Sequence, residues 1–211
     1  MIPFVSAWSG GKDACLATYR MMQQGHKPKA LLTMMEADGQ SSRAHALPLR
    51  LLKSQAGSLN IPLFAQAADD YKKSYLEALT QLKNEGIKDA VFGDIDLQAH
   101  RDWQEEMADI VDYKMHFPLW EEPHENLVYE FVDAGFKTII IAVQQGVLDK
   151  AYLGRLLNRE TLQELEKSGV DICGEGGEFH TFVVDGPIFS KEVTIKPNGI
   201  FSQNGYDFLR L

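Results

Sequence analysis

Phe4-Val5-Ser6-Ala7-Trp8-Ser9-Gly10-Gly11-Lys12-Asp13 is the stretch on which the fold turns. Residues 3–8 form a short apolar run suited to a buried strand, and two glycines follow almost at once. Consecutive glycines let the backbone turn tightly and point successive N–H groups inward. From Asp13 to Gln24 the pattern is helical, with Gly25 as its stop. The helix start offers free N–H groups and a positive dipole end at the same point, to which Lys12 adds a mobile cation. Strand, glycine turn and helix therefore form an anion cradle at the carboxyl end of the first strand, where ligands sit in open α/β sheets. Asp13 either caps the helix or holds Mg²⁺ that bridges phosphates. The common P-loop has Gly where Ser6 stands and Ser or Thr where Asp13 stands, so this is a different cradle. The competing reading is a plain glycine turn with a solvated Lys12.

Working outward, strands and helices alternate. Ala30 to Met35 reads as a strand, 45–59 as a helix, Pro62-Leu63-Phe64 as the start of a strand, 70–85 as a helix and Asp89 to Phe92 as a strand. This alternation indicates a doubly wound, mostly parallel sheet. A helix near 96–112 precedes an irregular linker from Lys114 to His124, which contains Pro118 and Pro123. A helix at 125–134, the apolar strand 138–143 and a helix at 159–168 follow, and the chain then turns β-rich. Asn198-Gly199 and Asn204-Gly205 both read as hairpin turns. The expected organisation is a nucleotide half, 1–113, and a smaller β-containing substrate lobe, 114–211.

The composition narrows the class of function. Thirty acidic and twenty-one basic residues give a net charge of −9 with no clustered Lys/Arg, which argues against extensive nucleic-acid contact. Cys15 and Cys173 have no metal-ligand spacing, so neither a disulfide framework nor a structural zinc site is expected. There is no apolar run long enough to span a membrane and the first residues lack a signal-peptide pattern; the expected location is the cytoplasm. A homodimer is compatible with this reading.

A second chemical segment lies far downstream: Asp171-Ile172-Cys173-Gly174-Glu175-Gly176-Gly177-Glu178-Phe179-His180-Thr181-Phe182, continuing to Asp185-Gly186-Pro187. Its glycines allow close backbone approach to a ligand, while Glu175 and Glu178 project carboxylates from a tight loop. Such acids can bind Mg²⁺, orient an amine nucleophile or hold ammonium, and His180 has the chemistry to move a proton. The competing reading is a glycine-rich turn with solvated acids. Cys173, alone beside glycines, reads as a buried apolar residue. The histidines at 26, 100, 116 and 124 have no ligand spacing and read as surface or core.

Ser9-Gly10-Gly11-Lys12-Asp13 after an N-terminal strand resembles the signature of the N-type ATP pyrophosphatases, or PP-loop ATPases, of the HUP-like, adenine nucleotide alpha hydrolase-like superfamily. That resemblance implies cleavage of ATP between its α- and β-phosphates, with Ser9, Gly10, Gly11, Lys12 and Asp13 on the pyrophosphate. One departure is Ala14, where the family usually has Ser. A lost neutral hydrogen bond is worth about 1 kcal/mol, so the expected result is weaker binding and not a dead site. Three further segments narrow the resemblance. They are Arg43-Ala44-His45 with Gln55-Ala56 and Leu59 to Leu63, then Phe92-Gly93-Asp94-Ile95 with Arg101-Asp102-Trp103, then the 171–187 motif. In this order they resemble the diphthine–ammonia ligase family over about residues 4–190. The resemblance implies adenylation of a substrate carboxylate, then amide formation with ammonia and release of AMP and pyrophosphate. Lys12, Asp13, Glu175, Glu178 and His180 would be catalytic. Arg43, His45, Gly93 and Asp94 would join Ser9 to Asp13 in binding ATP, with Asp13 on Mg²⁺. The carboxylate belongs either to a protein side chain or to a small metabolite. A tRNA-modifying sulfur transferase of the same superfamily and a non-catalytic ATP-binding module are the alternatives.

Overall fold

A computed structural model describes all 211 residues. Strands β1 (Pro3–Ala7), β2 (Lys27–Met35), β3 (Leu63–Ala67), β4 (Asp89–Val91) and β5 (Lys114–His116) form one parallel sheet in the order β3-β2-β1-β4-β5. The helices α1 (Lys12–Gln23), α2 (Leu49–Leu59), α3 (Tyr71–Asn84) and α4 (Gln98–Val111) make the crossovers between these strands. This is the doubly wound sheet that the alternating pattern implies. Its strand order reverses between β1 and β4, and a crevice opens at the carboxyl ends of those two strands. The SGGKD loop leaves β1 at that point, and Gly93-Asp94 leaves β4 beside it.

Four antiparallel strands form the second sheet, in the order β7-β6-β9-β8: β6 (Lys137–Gln144), β7 (Phe179–Asp185), β8 (Ile200–Gln203) and β9 (Tyr206–Leu209). Helices α5 (His124–Asp133) and α6 (Arg159–Ser168) belong to this half, with a short 3₁₀ turn at Lys150–Tyr152. The Asn158 side chain caps α6 by accepting from the Thr161 amide at 2.9 Å, and Gly169 ends it at a positive φ of 76°. The two sheets share one core. Phe4, Trp8 and Leu16 of the first half pack in the same apolar cluster as Phe131, Phe136, Ile139 and Phe182 of the second. No helix is long and apolar enough to cross a membrane.

Three local readings need correction. The helix expected from residue 45 begins at Leu49. Pro48 lacks an N–H and disfavours helical geometry at the residue before it, so 41–48 folds as a loop. Its bridges are Met35–Ser42 and Ser41–Pro48, and Ser42 Oγ accepts from the Leu47 amide at 3.0 Å. The linker from Lys114 is not irregular throughout, because residues 114–116 pair with β4 as the sheet's edge strand. Finally, only Asn204-Gly205 makes a hairpin turn. Both residues have positive φ, 51° and 80°, as a two-residue turn between β8 and β9 requires. Asn198-Gly199 has no strand before it and instead continues the pairing opposite Arg210.

Candidate functional site

At the switch point lies a cavity of about 380 Å³, walled by both halves of the chain. The first wall is the loop after β1. Gly11 stands at the N-cap of α1, and Ser9 Oγ accepts its amide at 3.2 Å. The Lys12 amide donates to Thr181 Oγ1 of β7 at 3.1 Å. The amides of Asp13 and Ala14, in the first turn of α1, have no backbone or side-chain acceptor, as a helix start leaves them. Two of the cradle's amides are therefore free beside the Lys12 ammonium, while those of Gly11 and Lys12 are engaged within the protein.

Gly10 and Gly11 serve packing as well as turning. Gly10 has φ +84°, and a Cβ there would stand 2.9 Å from Leu47 Cδ1. At Gly11 a Cβ would stand 2.9 Å from His45 Cε1. Neither glycine lines the cavity itself, whereas Ser9, Lys12, Asp13 and Ala14 do. Gly93 brings β4 close to α1, since a Cβ there would lie 2.6 Å from Asp13 C and Ala14 N. Only a glycine permits that approach, which sets the cavity's width.

Lys12 is neither mobile nor solvated. It is 5% exposed, and its Nζ donates to both Asp13 carboxylate oxygens at 2.8 Å. Burial opposes its charge, but Asp13, then Cys173 and Glu175, outweigh that and hold its pKa above the ordinary value. Asp13 does not cap the helix; its carboxylate pairs with Lys12 at the cavity wall. Cys173 is buried and burial pushes its thiol up to about 12, which suits an inert apolar filler and not a nucleophile.

Glu175 faces this pair from the second wall. Burial, with Asp13 nearby, lifts its carboxyl pKa to about 7. A carboxyl group at that value can exchange a proton near neutral pH, as a general base must. His180 also lines the cavity, but burial and then Lys12 lower its pKa, so at neutral pH it is an uncharged imidazole. Its ring stacks between His45 at 4.6 Å and Tyr206 at 5.5 Å. His45 is held neutral too, its pKa lowered to about 3 by burial, His180 and Lys12, and its buried Nδ1 has no protein partner. Glu178 is not among the residues lining the cavity. Its carboxylate folds back over Gly176, where a Cβ would lie 2.7 Å from Oε1, and its buried Oε2 has no partner.

The far end of the cavity is apolar and aromatic: Leu32, Met34, Tyr71, Tyr75, Phe92 and Leu97. Arg43 closes this end. Its guanidinium lies 5.7 Å from the Tyr71 ring centroid and donates to the Ala68 carbonyl at 2.8 Å. Asp94 stands between the two ends, with burial raising its pKa and His100 Nδ1 at 3.2 Å. The cavity thus has a flat apolar pocket at one end and amides with a buried cation at the other, an arrangement matched to a base and its phosphates.

Several contacts that build the site had no sequence signal of their own. Gln55 is fully buried and fully satisfied. It accepts from Trp8 Nε1 at 3.0 Å and donates to the carbonyls of Gly10 at 3.0 Å and Val183 at 2.7 Å. It thereby fixes the cradle to β7. Tyr206 donates to the Gly177 carbonyl at 2.8 Å and brings the last hairpin to the site. The i, i+4 spacing of Tyr71 and Tyr75 on α3 was the available hint for the aromatic end.

Fold and site together define a nucleotide-binding α/β protein whose cradle and facing acidic loop come from opposite ends of the chain. Residues 4–115 match the diphthamide synthase N-terminal domain and residues 123–209 the diphthamide synthase C-terminal domain, and the chain belongs to this family. Its curated relatives include the diphthine–ammonia ligase of Mus musculus, 30% identical over 89% of this chain and 80% of the relative. The diphthine–ammonia ligase of Bos taurus is 27% identical over 95% of this chain and 85% of its own length. A predicted tRNA methyltransferase subunit from Methanocaldococcus jannaschii is similar in structure at a TM-score of 0.46 and 14% identity, covering 92% of this chain and all of that one.

Proposed function

We propose that this chain is an ATP-dependent amide-forming ligase of the N-type ATP pyrophosphatase kind. The observation that carries the reading is the pairing, in one cavity, of the buried Lys12 ammonium and the free amides of Asp13 and Ala14 with Glu175 poised near neutrality. In this reading adenine occupies the pocket of Leu32, Tyr71 and Phe92. Ser9, the Lys12 ammonium and the free amides of Asp13 and Ala14 receive the β- and γ-phosphates, while Gly10 and Gly11 form the turn that presents them. Substrate carboxylate attacks the α-phosphorus and pyrophosphate leaves into the cradle, where Lys12 stabilises its developing charge. Ammonium gives a proton to Glu175, and the resulting ammonia attacks the acyl carbon and displaces AMP. His45 and His180, both neutral, offer hydrogen bonds without adding charge; Arg43, Gly93 and Asp94 complete the nucleotide side. Glu178 shapes the acidic loop.

No group of three His, Cys, Asp or Glu side chains converges as a metal site. The residues suit a Mg²⁺ that arrives with the nucleotide, for which one carboxylate and the phosphates suffice. Asp13, whose side chain is 29% exposed, would be its protein ligand, and the ion would supply charge neutralisation at the phosphates.

The first lobe, through β5, binds nucleotide, and the lobe after the 117–123 connection presents the carboxylated substrate. The names of the relatives make a diphthine-like side chain the first substrate to try, with small carboxylated metabolites next. The test is incubation with ATP, Mg²⁺ and ammonium in the presence of each candidate carboxylate. AMP release that needs both carboxylate and ammonium supports the ligase. Tight ATP binding with no turnover on any carboxylate would favour a binding module.

A further inference from the structure

His124, the first residue of α5, lies outside the cavity, and both its ring nitrogens are engaged by carboxylates. Nδ1 stands 2.9 Å from Asp171 Oδ2, and Nε2 stands 3.0 Å from Asp96 Oδ2. An ionised carboxylate only accepts hydrogen bonds, and a neutral imidazole has one N–H. Two carboxylate partners at these distances therefore require the imidazolium. A cation at the N-terminus of a helix is disfavoured by the helix dipole, so the two acids must outweigh it.

The position of the two acids gives the contact its consequence. Asp171 Oδ2 also accepts from the Glu175 amide at 3.1 Å, and its Oδ1 accepts from the Cys173 amide at 3.0 Å. Asp171 thereby shapes the loop that carries Glu175 into the cavity. Asp96 follows Asp94 by two residues on the opposite rim, after β4. We propose that His124 is a positioning residue whose imidazolium ties the Asp96 rim to the Asp171–Glu175 loop, holding the cavity's two walls in register. Loss of its proton leaves one carboxylate facing a bare nitrogen lone pair, and Asp96 and Asp171 then repel each other across it.

The groups facing His124 are Asp96 from the loop after β4 and Asp171 and Glu175 from the loop before β7, with Glu125 next to it on α5. Burial works against its charge, but Asp171 and Asp96 raise its pKa above the ordinary 6.5. Glu175, at about 7, becomes charged as pH rises and adds to that hold.

The proposal rests on the cavity being the ATP site, and its test keeps the two apart. His124 is titrated by NMR in the full chain, in wild type and in Asp96→Asn. Affinity for the non-cleavable analogue α,β-methylene-ATP with Mg²⁺ is measured over the same pH range, in wild type and in His124→Gln. The expected midpoint in wild type lies above 6.5 and falls in Asp96→Asn. Wild-type affinity should drop about five-fold across that midpoint, the size of one lost hydrogen bond of ~1 kcal/mol. In His124→Gln the affinity should be low throughout, without that step. A wild-type midpoint at or below 6.5, or the same pH step in His124→Gln, overturns the proposal. If the analogue binds at no pH, the ATP reading fails and the titration alone decides the tie.

Discussion

The Lys12 amide donates to Thr181 Oγ1 at 3.1 Å, joining the first turn of α1 to β7 across 169 positions of chain. The contact fixes the phosphate cradle to the strand that follows the acidic loop, so the two chemical segments move as one body. Thr181→Val removes the acceptor and keeps the shape. ATP affinity is expected to fall about five-fold, for a lost hydrogen bond of ~1 kcal/mol, with Thr181→Ser restoring it. Isothermal titration with ATP and Mg²⁺ checks both variants.

Lys12 and Glu175 should separate binding from chemistry. Lys12→Ala removes a buried cation paired with Asp13 and should weaken ATP binding about ten- to a hundred-fold, the range for a charged hydrogen bond of ~1.5–3 kcal/mol. Glu175→Gln should largely spare ATP binding while stopping amide formation, because it removes the cavity's base. Equal losses of ATP affinity in the two variants would show that the role given to Glu175 is wrong.

Ala14 lines the cavity, and its amide is free in the first turn of α1. Supplying the hydroxyl that the PP-loop pattern usually has there, as Ala14→Ser, should tighten ATP binding about five-fold. An unchanged or weaker affinity would mean that the cradle already satisfies the phosphate without it.

Glu175 sets the pH dependence. Its folded pKa of about 7 exceeds the ordinary 4.5, so between those values the folded chain holds a proton that the unfolded chain has released. This contribution to stability is complete below about 4.5 and is lost as pH rises toward 7. Catalysis runs the other way, because the base must be ionised; kcat/KM should rise through a midpoint near 7. In Glu175→Gln both slopes should flatten, as read by thermal melts and by initial rates across the same pH range.

The fold was largely legible because its signals are local. Glycine stops, strand-length apolar runs and helix-length spacers recur from Pro3 to His116, and they specify a parallel sheet without knowledge of distant contacts. The cradle was legible for the same reason, being one strand, one turn and one helix start. What could not be read depends on contacts between segments far apart. The burial of Lys12 against Asp13 follows from β7 closing over α1. The neutral pair His45–His180 exists because the loop before Pro48 meets β7. Gln55 stood in a family-like segment without a contact of its own, and His124 read as surface or core, until the fold brought Trp8, Asp96 and Asp171 to them. Glu178 illustrates the converse: it stands in a dense motif, yet its carboxylate packs over Gly176 and does not line the cavity.

The central claim is adenylation, and the most direct measurement is the fate of ATP labelled in its α-phosphate during turnover with ammonium and an accepted carboxylate. The account predicts labelled AMP and an equal amount of pyrophosphate, with oxygen-18 from the carboxylate appearing in the AMP. Labelled ADP with inorganic phosphate would contradict it.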